Sequence, residues 1–292
     1  EGSQWLSREG WRGLQLEAVR NLAVHAQRHV PYYRDVFAAL NIDPARWRSL
    51  DEMQRVPVMT KSEVIDAGKG LLAADGTVLR FQSSSSGTTG RAMLGWRDRA
   101  SIAFEQAFVD RQIRWAGYRA GERRAWLRGD PVVSTRQTTG PLWRMNRADN
   151  MLMLSSYHLT PDNGRAYLKV LEDFDPVMIQ AYPSSVGYLA RLLEDQDRVY
   201  TGKALRGIVT SSETLNPDDR RVIMERFGCK VFDWYGSFER VAAIGTCEHG
   251  NYHVMEDYGC VEFEANGDGT ANLIATGFGR SEEHTSELQS LR

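Results

Sequence analysis

Apolar and polar positions alternate along this chain with two different periods. Leu14, Ala18, Leu22 and Ala26 recur at helical spacing and predict an amphipathic first helix that ends near His29 and Pro31. Arg97 to Trp115 continues as a second helical run. The best-marked helix lies later: Asn216 stands at an N-cap position, Pro217 in the first turn, Asp218 and Asp219 where the helix dipole favours negative charge, and Gly228 just past the end. Short β-type runs, Leu205 to Thr210 and Lys230 to Tyr235, flank it, so the unit reads strand, helix, strand, with parallel pairing and a right-handed crossover. A similar unit precedes it, with a buried strand over Pro176 to Tyr182 and an amphipathic helix over Ser184 to Glu194 carrying Val186, Leu189 and Leu193. Near the end, Val261 to Phe263 and Asn272 to Ala275 flank Gly267-Asp-Gly269, a hairpin signal. Alternating helices and strands predict an α/β layer architecture, and no internal repeat or low-complexity linker marks a boundary within it.

Composition changes this picture little. The chain has 292 residues, 42% apolar and 25% charged, enough to bury one sizeable core or two smaller ones. A net charge of -2 and no basic run leave no electrostatic footprint for nucleic acid, so the expected partner is a small molecule. No apolar run reaches membrane-spanning length and no signal-peptide pattern opens the chain. Three cysteines, Cys229, Cys247 and Cys260, make no disulfide framework, which favours a reducing compartment and the cytoplasm.

Candidate chemistry is concentrated in two segments. In Ser83 to Gly90 six small hydroxyl residues and two glycines fill eight positions. Glycines let the backbone approach a phosphate and turn its amides inward, and the hydroxyls donate further bonds. No lysine follows Gly90, so the strand-to-helix P-loop pattern does not fit. Downstream, Asp233-Trp-Tyr-Gly-Ser-Phe-Glu239 follows a β-type run, and Val209-Thr-Ser-Ser-Glu-Thr214 and Ala181-Tyr-Pro-Ser184 lie at strand ends, where α/β sites form.

Ser85-Ser-Gly-Thr-Thr-Gly90 resembles the signature loop of adenylate-forming enzymes, and Tyr235-Gly-Ser-Phe-Glu239 resembles their Tyr-Gly-x-Thr/Ser-Glu element. His29-Val-Pro-Tyr-Tyr-Arg34 and Val56-Pro-Val-Met-Thr-Lys61 are similar to the phenylacetate-CoA ligase branch and its relatives in capsular polysaccharide clusters. The resemblance runs nearly unbroken to Gly279 and implies the large N-terminal domain of that family, with mixed and parallel sheets flanked by helices. It implies that Ser85, Ser86, Gly87, Thr88, Thr89 and Gly90 hold the β- and γ-phosphates of ATP. Ser212 and Glu213 would lie by the adenine, Tyr235 and Gly236 against it, Ser237 near the α-phosphate, and Glu239 at Mg²⁺. The implied reaction joins a carboxylic acid to ATP as an acyl-adenylate and then to a thiol, coenzyme A. A homodimer would be usual for the branch. Where the family has proline and lysine after the last loop glycine, this chain has Arg91 and Ala92, which removes that lysine's share of phosphate binding.

Some branch members bind zinc at the position of Cys247-Glu-His-Gly-Asn-Tyr-His253. Cys247 and His253 would be two of the ligands, with His249 or Cys260 as substitutes, although the later Cys-x-Cys pair is absent; an ordinary turn is the alternative. Arg280 to Ser290 follows a strand-like run without a turn or helix start, and it matches residue for residue the translation of a common short-read sequencing adapter. The expected organisation is therefore a partial adenylation domain over 1–279 and a non-native tail over 280–292. The family's ribose-binding aspartate and mobile C-terminal domain, with its catalytic lysine, would follow the break, so the fragment itself would turn over little. An ATP hydrolase and a non-catalytic nucleotide-binding protein of a polysaccharide cluster are the rival readings.

Overall fold

The structure, a computed structural model, describes residues 2–74, 80–84 and 93–279. The chain divides into two compact units, one formed by 1–109, 236–244 and 254–292, the other by 110–235 and 245–253.

In the first unit, α1 (Arg8–His29), α2 (Pro31–Ala39) and α3 (Lys61–Ala67) come first. Ser7 caps α1 through its side chain, and Thr60 opens α3 in a capping box with Glu63. The buried face of α1 is Gln15, Val19, Leu22, Ala23 and Ala26, so Leu14 and Ala18 of the expected stripe sit at its margin. A repeat of four residues advances about 40° beyond each helical turn and drifts about 120° over three steps, and only its later half stays on the core side. Two antiparallel ribbons complete the unit: β1 (Phe81–Ser84) with β2 (Leu94–Arg97), and β11 (Gly259–Ala265) with β12 (Ala271–Gly277). Gly267 and Gly269 both have positive φ in the β11–β12 turn, as the hairpin signal requires. The core gathers Val19, Tyr33, Phe37, Trp47, Met59, Leu71 and Met93.

The second unit is built on β3 (Arg124–Leu127), β4 (Trp143–Asn146), β5 (Met151–Leu154), β6 (Met178–Ala181), β7 (Gly207–Ser211) and β8 (Lys230–Gly236), joined by α5 (Pro161–Phe174), α6 (Pro183–Asp195) and α7 (Pro217–Phe227). The helix α4 (Arg99–Trp115) runs from the first unit into the second, and β9 (Ala243–Thr246) and β10 (Tyr252–Val254) extend the sheet, whose order is β10-β9-β8-β7-β6-β3-β5-β4. β5, β3, β6, β7 and β8 are parallel, and β4 is antiparallel to its neighbour β5. β6 and β7 are buried along their whole length, which suits continuous runs such as Ile208-Val-Thr210 covered on both faces. α7 is capped as expected: Asn216 Oδ1 accepts from the Asp219 amide at 2.8 Å, and Gly228 closes the helix at φ 65°. Val186, Leu189 and Leu193 of α6 join the core with Ala125, Leu127, Leu154, Leu171 and Ile208. Among the described residues no helix is long and apolar enough to cross a membrane.

Candidate functional site

The chain enters β3 in the middle of the sheet, passes to β5 on one side and returns to β6 on the other. In open α/β sheets such a reversal marks the usual ligand position, at the carboxyl ends of the strands. Ser211 pairs with Trp234, so Ser212 and Tyr235 leave β7 and β8 as neighbours. Ser212 adopts a left-handed φ of 70° and accepts a 2.7 Å hydrogen bond at Oγ from Arg128 Nη2. Glu213 accepts from the Ser184 amide at 2.9 Å, in the first turn of α6, where the helix end favours a carboxylate. The Tyr235 ring is 46% exposed, open to a planar ligand.

Beneath these residues, Asp233 ties the two site strands together. Its carboxylate accepts from Thr210 Oγ1 at 2.6 Å and from Tyr252 Oη at 2.7 Å, and its amide donates to Thr246 Oγ1 at 2.7 Å. Burial, then the bond to Asp233, pushes the Tyr252 phenol up to about 12.

Arg128, which the sequence pattern did not single out, lies just past β3. Its guanidinium sits over the Trp126 ring at 5.1 Å and the Tyr182 ring at 5.5 Å. Burial lowers its pKa, against the opposing influence of Tyr182 and Asp130. A cation immediately after a short apolar strand run is the signal that could have marked it.

In the first unit, β8 runs out into Ser237–Arg240. Arg97 stacks on the Phe238 ring at 4.9 Å and donates to the Phe238 carbonyl, while Arg240 donates to the Ser101 carbonyl at 3.2 Å. Gly95 leaves room for this packing, since a Cβ there would lie 2.8 Å from the Phe238 ring. Glu239 lines a shallow crevice with Trp96, Phe104, Glu105 and Tyr258. Tyr258 donates to Glu105, and burial raises its phenol pKa. Among the described residues the Glu239 carboxylate has no hydrogen bond or ion pair, and Ser237 Oγ is buried without a partner. A free carboxylate suits a hard cation whose other ligands come from phosphates and water.

Ser85, Ser86, Gly87, Thr88, Thr89 and Gly90 lie outside the described residues, as does the tail over 280–292. At the zinc candidate, Cys247 closes a turn with Asn251, the His253 ring packs on Trp115 at 6.2 Å, and His249 pairs with Glu248 at 3.7 Å. Cys260 is buried in the core of the other unit. The described residues contain no group of three or more His, Cys, Asp or Glu able to hold a metal, and so bring no zinc set together at Cys247 and His253.

No family model matches the chain. It is 23% identical over 265 residues to protein CapK of Staphylococcus aureus, covering 91% of this chain and 58% of that protein. It is 25% identical over 261 residues to the phenylacetate-coenzyme A ligase of Thermus thermophilus, covering 87% and 57%, and 27% identical over 226 residues to that of Pseudomonas putida, covering 77% and 50%. The chain thus spans about half the length of the curated relatives it matches. Among solved structures, it superposes on 2-hydroxyisobutyryl-CoA ligase in the postadenylation state with TM-score 0.72 and 16% identity, covering 98% of this chain and 62% of that one. The same ligase in its thioesterification state gives TM-score 0.71, 17% identity, and 97% and 63% coverage. Sequence likeness and shared fold point the same way: the chain is similar to the phenylacetate-coenzyme A ligases and to protein CapK, and it has the fold of 2-hydroxyisobutyryl-CoA ligase.

Proposed function

We propose that the protein is an ATP-dependent carboxylic acid–coenzyme A ligase, of which residues 1–279 form part of the adenylation domain and 280–292 a non-native tail. What carries the reading is the pairing at the carboxyl ends of β7 and β8, which bring Ser212 and the exposed Tyr235 ring together, with Ser237 and Glu239 next along the chain. Tyr235 and Gly236 take the adenine, with Ser212 and Glu213 beside it. By the resemblance, Ser237 serves the α-phosphate and Ser85 to Gly90 serve the β- and γ-phosphates.

An oxygen of the acid's carboxylate attacks the α-phosphorus, the bond to the β-phosphate oxygen breaks, and pyrophosphate leaves. The thiol of coenzyme A, giving up its proton to solvent, then attacks the acyl carbon through sulfur, the bond from that carbon to the phosphate oxygen breaks and AMP departs, so one hard acylation becomes two easier ones. Glu239 would hold Mg²⁺, which when bound neutralises phosphate charge. The chain spans about half the length of the relatives it matches, and on this reading the 292-residue chain by itself turns over little.

The test is to express the gene extended past Gly279 and to screen carboxylic acids for acid-dependent AMP and pyrophosphate, with Glu239→Gln beside it. AMP that disappears in the variant supports the ligase. ADP and phosphate would establish a hydrolase instead, and no product with any acid would favour a non-catalytic nucleotide-binding protein, the reading to which the replacement of the loop lysine by Arg91 and Ala92 points.

A further inference from the structure

Arg128 is held from three sides. Ser156 Oγ donates to the Arg128 carbonyl at 2.9 Å, and Tyr157 Oη donates to the Gly129 carbonyl at 2.9 Å, so the loop after β5 pins its backbone. Gly129 brings that backbone up against Tyr182, where a Cβ would meet the phenol oxygen at 2.6 Å. The side chain is fixed by the Trp126 and Tyr182 rings and by a hydrogen bond to Ser212 Oγ, its single one among the described residues. Asp130, the nearest opposing charge, is engaged by Trp126 Nε1 at 2.6 Å, and Arg128 forms no ion pair among the described residues.

A guanidinium that has given up much of its water, yet bonds only one neutral hydroxyl, keeps most of its five donors for something else. Its planar fork matches phosphate and carboxylate oxygens, and stacking fixes the plane before a ligand arrives, which reduces the entropy lost on binding. Its position is the sheet's reversal point, and the hydroxyl it touches belongs to the Ser212 loop beside Tyr235. Resting on the nucleotide-site reading above, we propose that Arg128 is a nucleotide-phosphate-binding residue, donating to the phosphate nearest the ribose. It supplies there a fixed cation in a protein whose signature loop carries Arg91 and Ala92 in place of the usual proline and lysine.

The experiment titrates the full 292-residue chain, by calorimetry, with adenosine and with AMP, in wild type, Arg128→Gln and Arg128→Lys. Wild type binds AMP more tightly than adenosine. Arg128→Gln lowers AMP affinity about ten- to a hundredfold, the range for hydrogen bonds to a charged group, and leaves adenosine affinity within about twofold. Arg128→Lys, which keeps the charge but not the fork, falls between. If Arg128→Gln weakens adenosine as well, the Arg128→Lys ratio of AMP to adenosine decides, and an unchanged ratio overturns the assignment. AMP binding equal in wild type and Arg128→Gln overturns it directly, with the nucleotide reading intact. Absence of saturable binding of either compound to wild type instead overturns the nucleotide site itself, and the role of Arg128 with it.

Discussion

Asp233 bridges the two strands that end in Ser212 and Tyr235, and its two side-chain donors differ in surroundings, which makes the network measurable. Thr210 is 0% exposed, and Thr210→Val keeps the shape while removing the only donor to Asp233 Oδ1 among the bonds described. A hydrogen bond to a charged group is worth about 1.5–3 kcal/mol, and water cannot reach this site to replace it, so Thr210→Val should cost about 2 kcal/mol. Tyr252 is 52% exposed, and water can take over its bond to Oδ2; Tyr252→Phe should cost about 1 kcal/mol or less. Because both act on one carboxylate, the double variant should depart from additivity by about 0.5 kcal/mol or more. Urea unfolding, read as midpoint shifts at constant slope, gives all three numbers. A Tyr252→Phe cost equal to or above that of Thr210→Val would refute the reasoning, because solvent access would then not govern the strength of these bonds.

Other outcomes follow from the same structure. Tyr167, fully buried and pushed up to about 12 by that burial from an ordinary 10.0, contributes stability in full below pH 10 that is lost as pH rises from 10 to 12. A phenolate-absorbance titration should therefore show it ionising only with unfolding; complete tyrosine ionisation while the far-ultraviolet dichroism stays native would contradict it. Burial pushes the Cys229 and Cys260 thiols up to about 12, so both should resist a disulfide reagent in the folded chain at neutral pH and react once urea is added, which mass mapping would reveal. Asn216→Ala removes the α7 cap and should cost about 1 kcal/mol by the same urea assay, whereas an unchanged midpoint would mean the cap contributes nothing.

Local chemistry by itself determined a good part of this protein. The α7 unit was legible because a cap, a first-turn proline and a terminal glycine act within a few residues of one another, and the β11–β12 turn because its glycines must take positive φ. The segments over Ala181–Ser184, Val209–Thr214 and Asp233–Glu239 could be read as strand ends. Only tertiary structure decided the rest. The exposed face of α1 depended on what packs against it, so a four-residue stripe was read too far round the helix. Strand order is not encoded in any one segment, and the central place of β3 is what brings Arg128 next to Ser212, 84 positions away. Arg97 and Phe238, 141 positions apart, meet for the same reason: pairing of distant segments is selected by the burial of the whole sheet and its covering layers, a property that no window of the sequence contains.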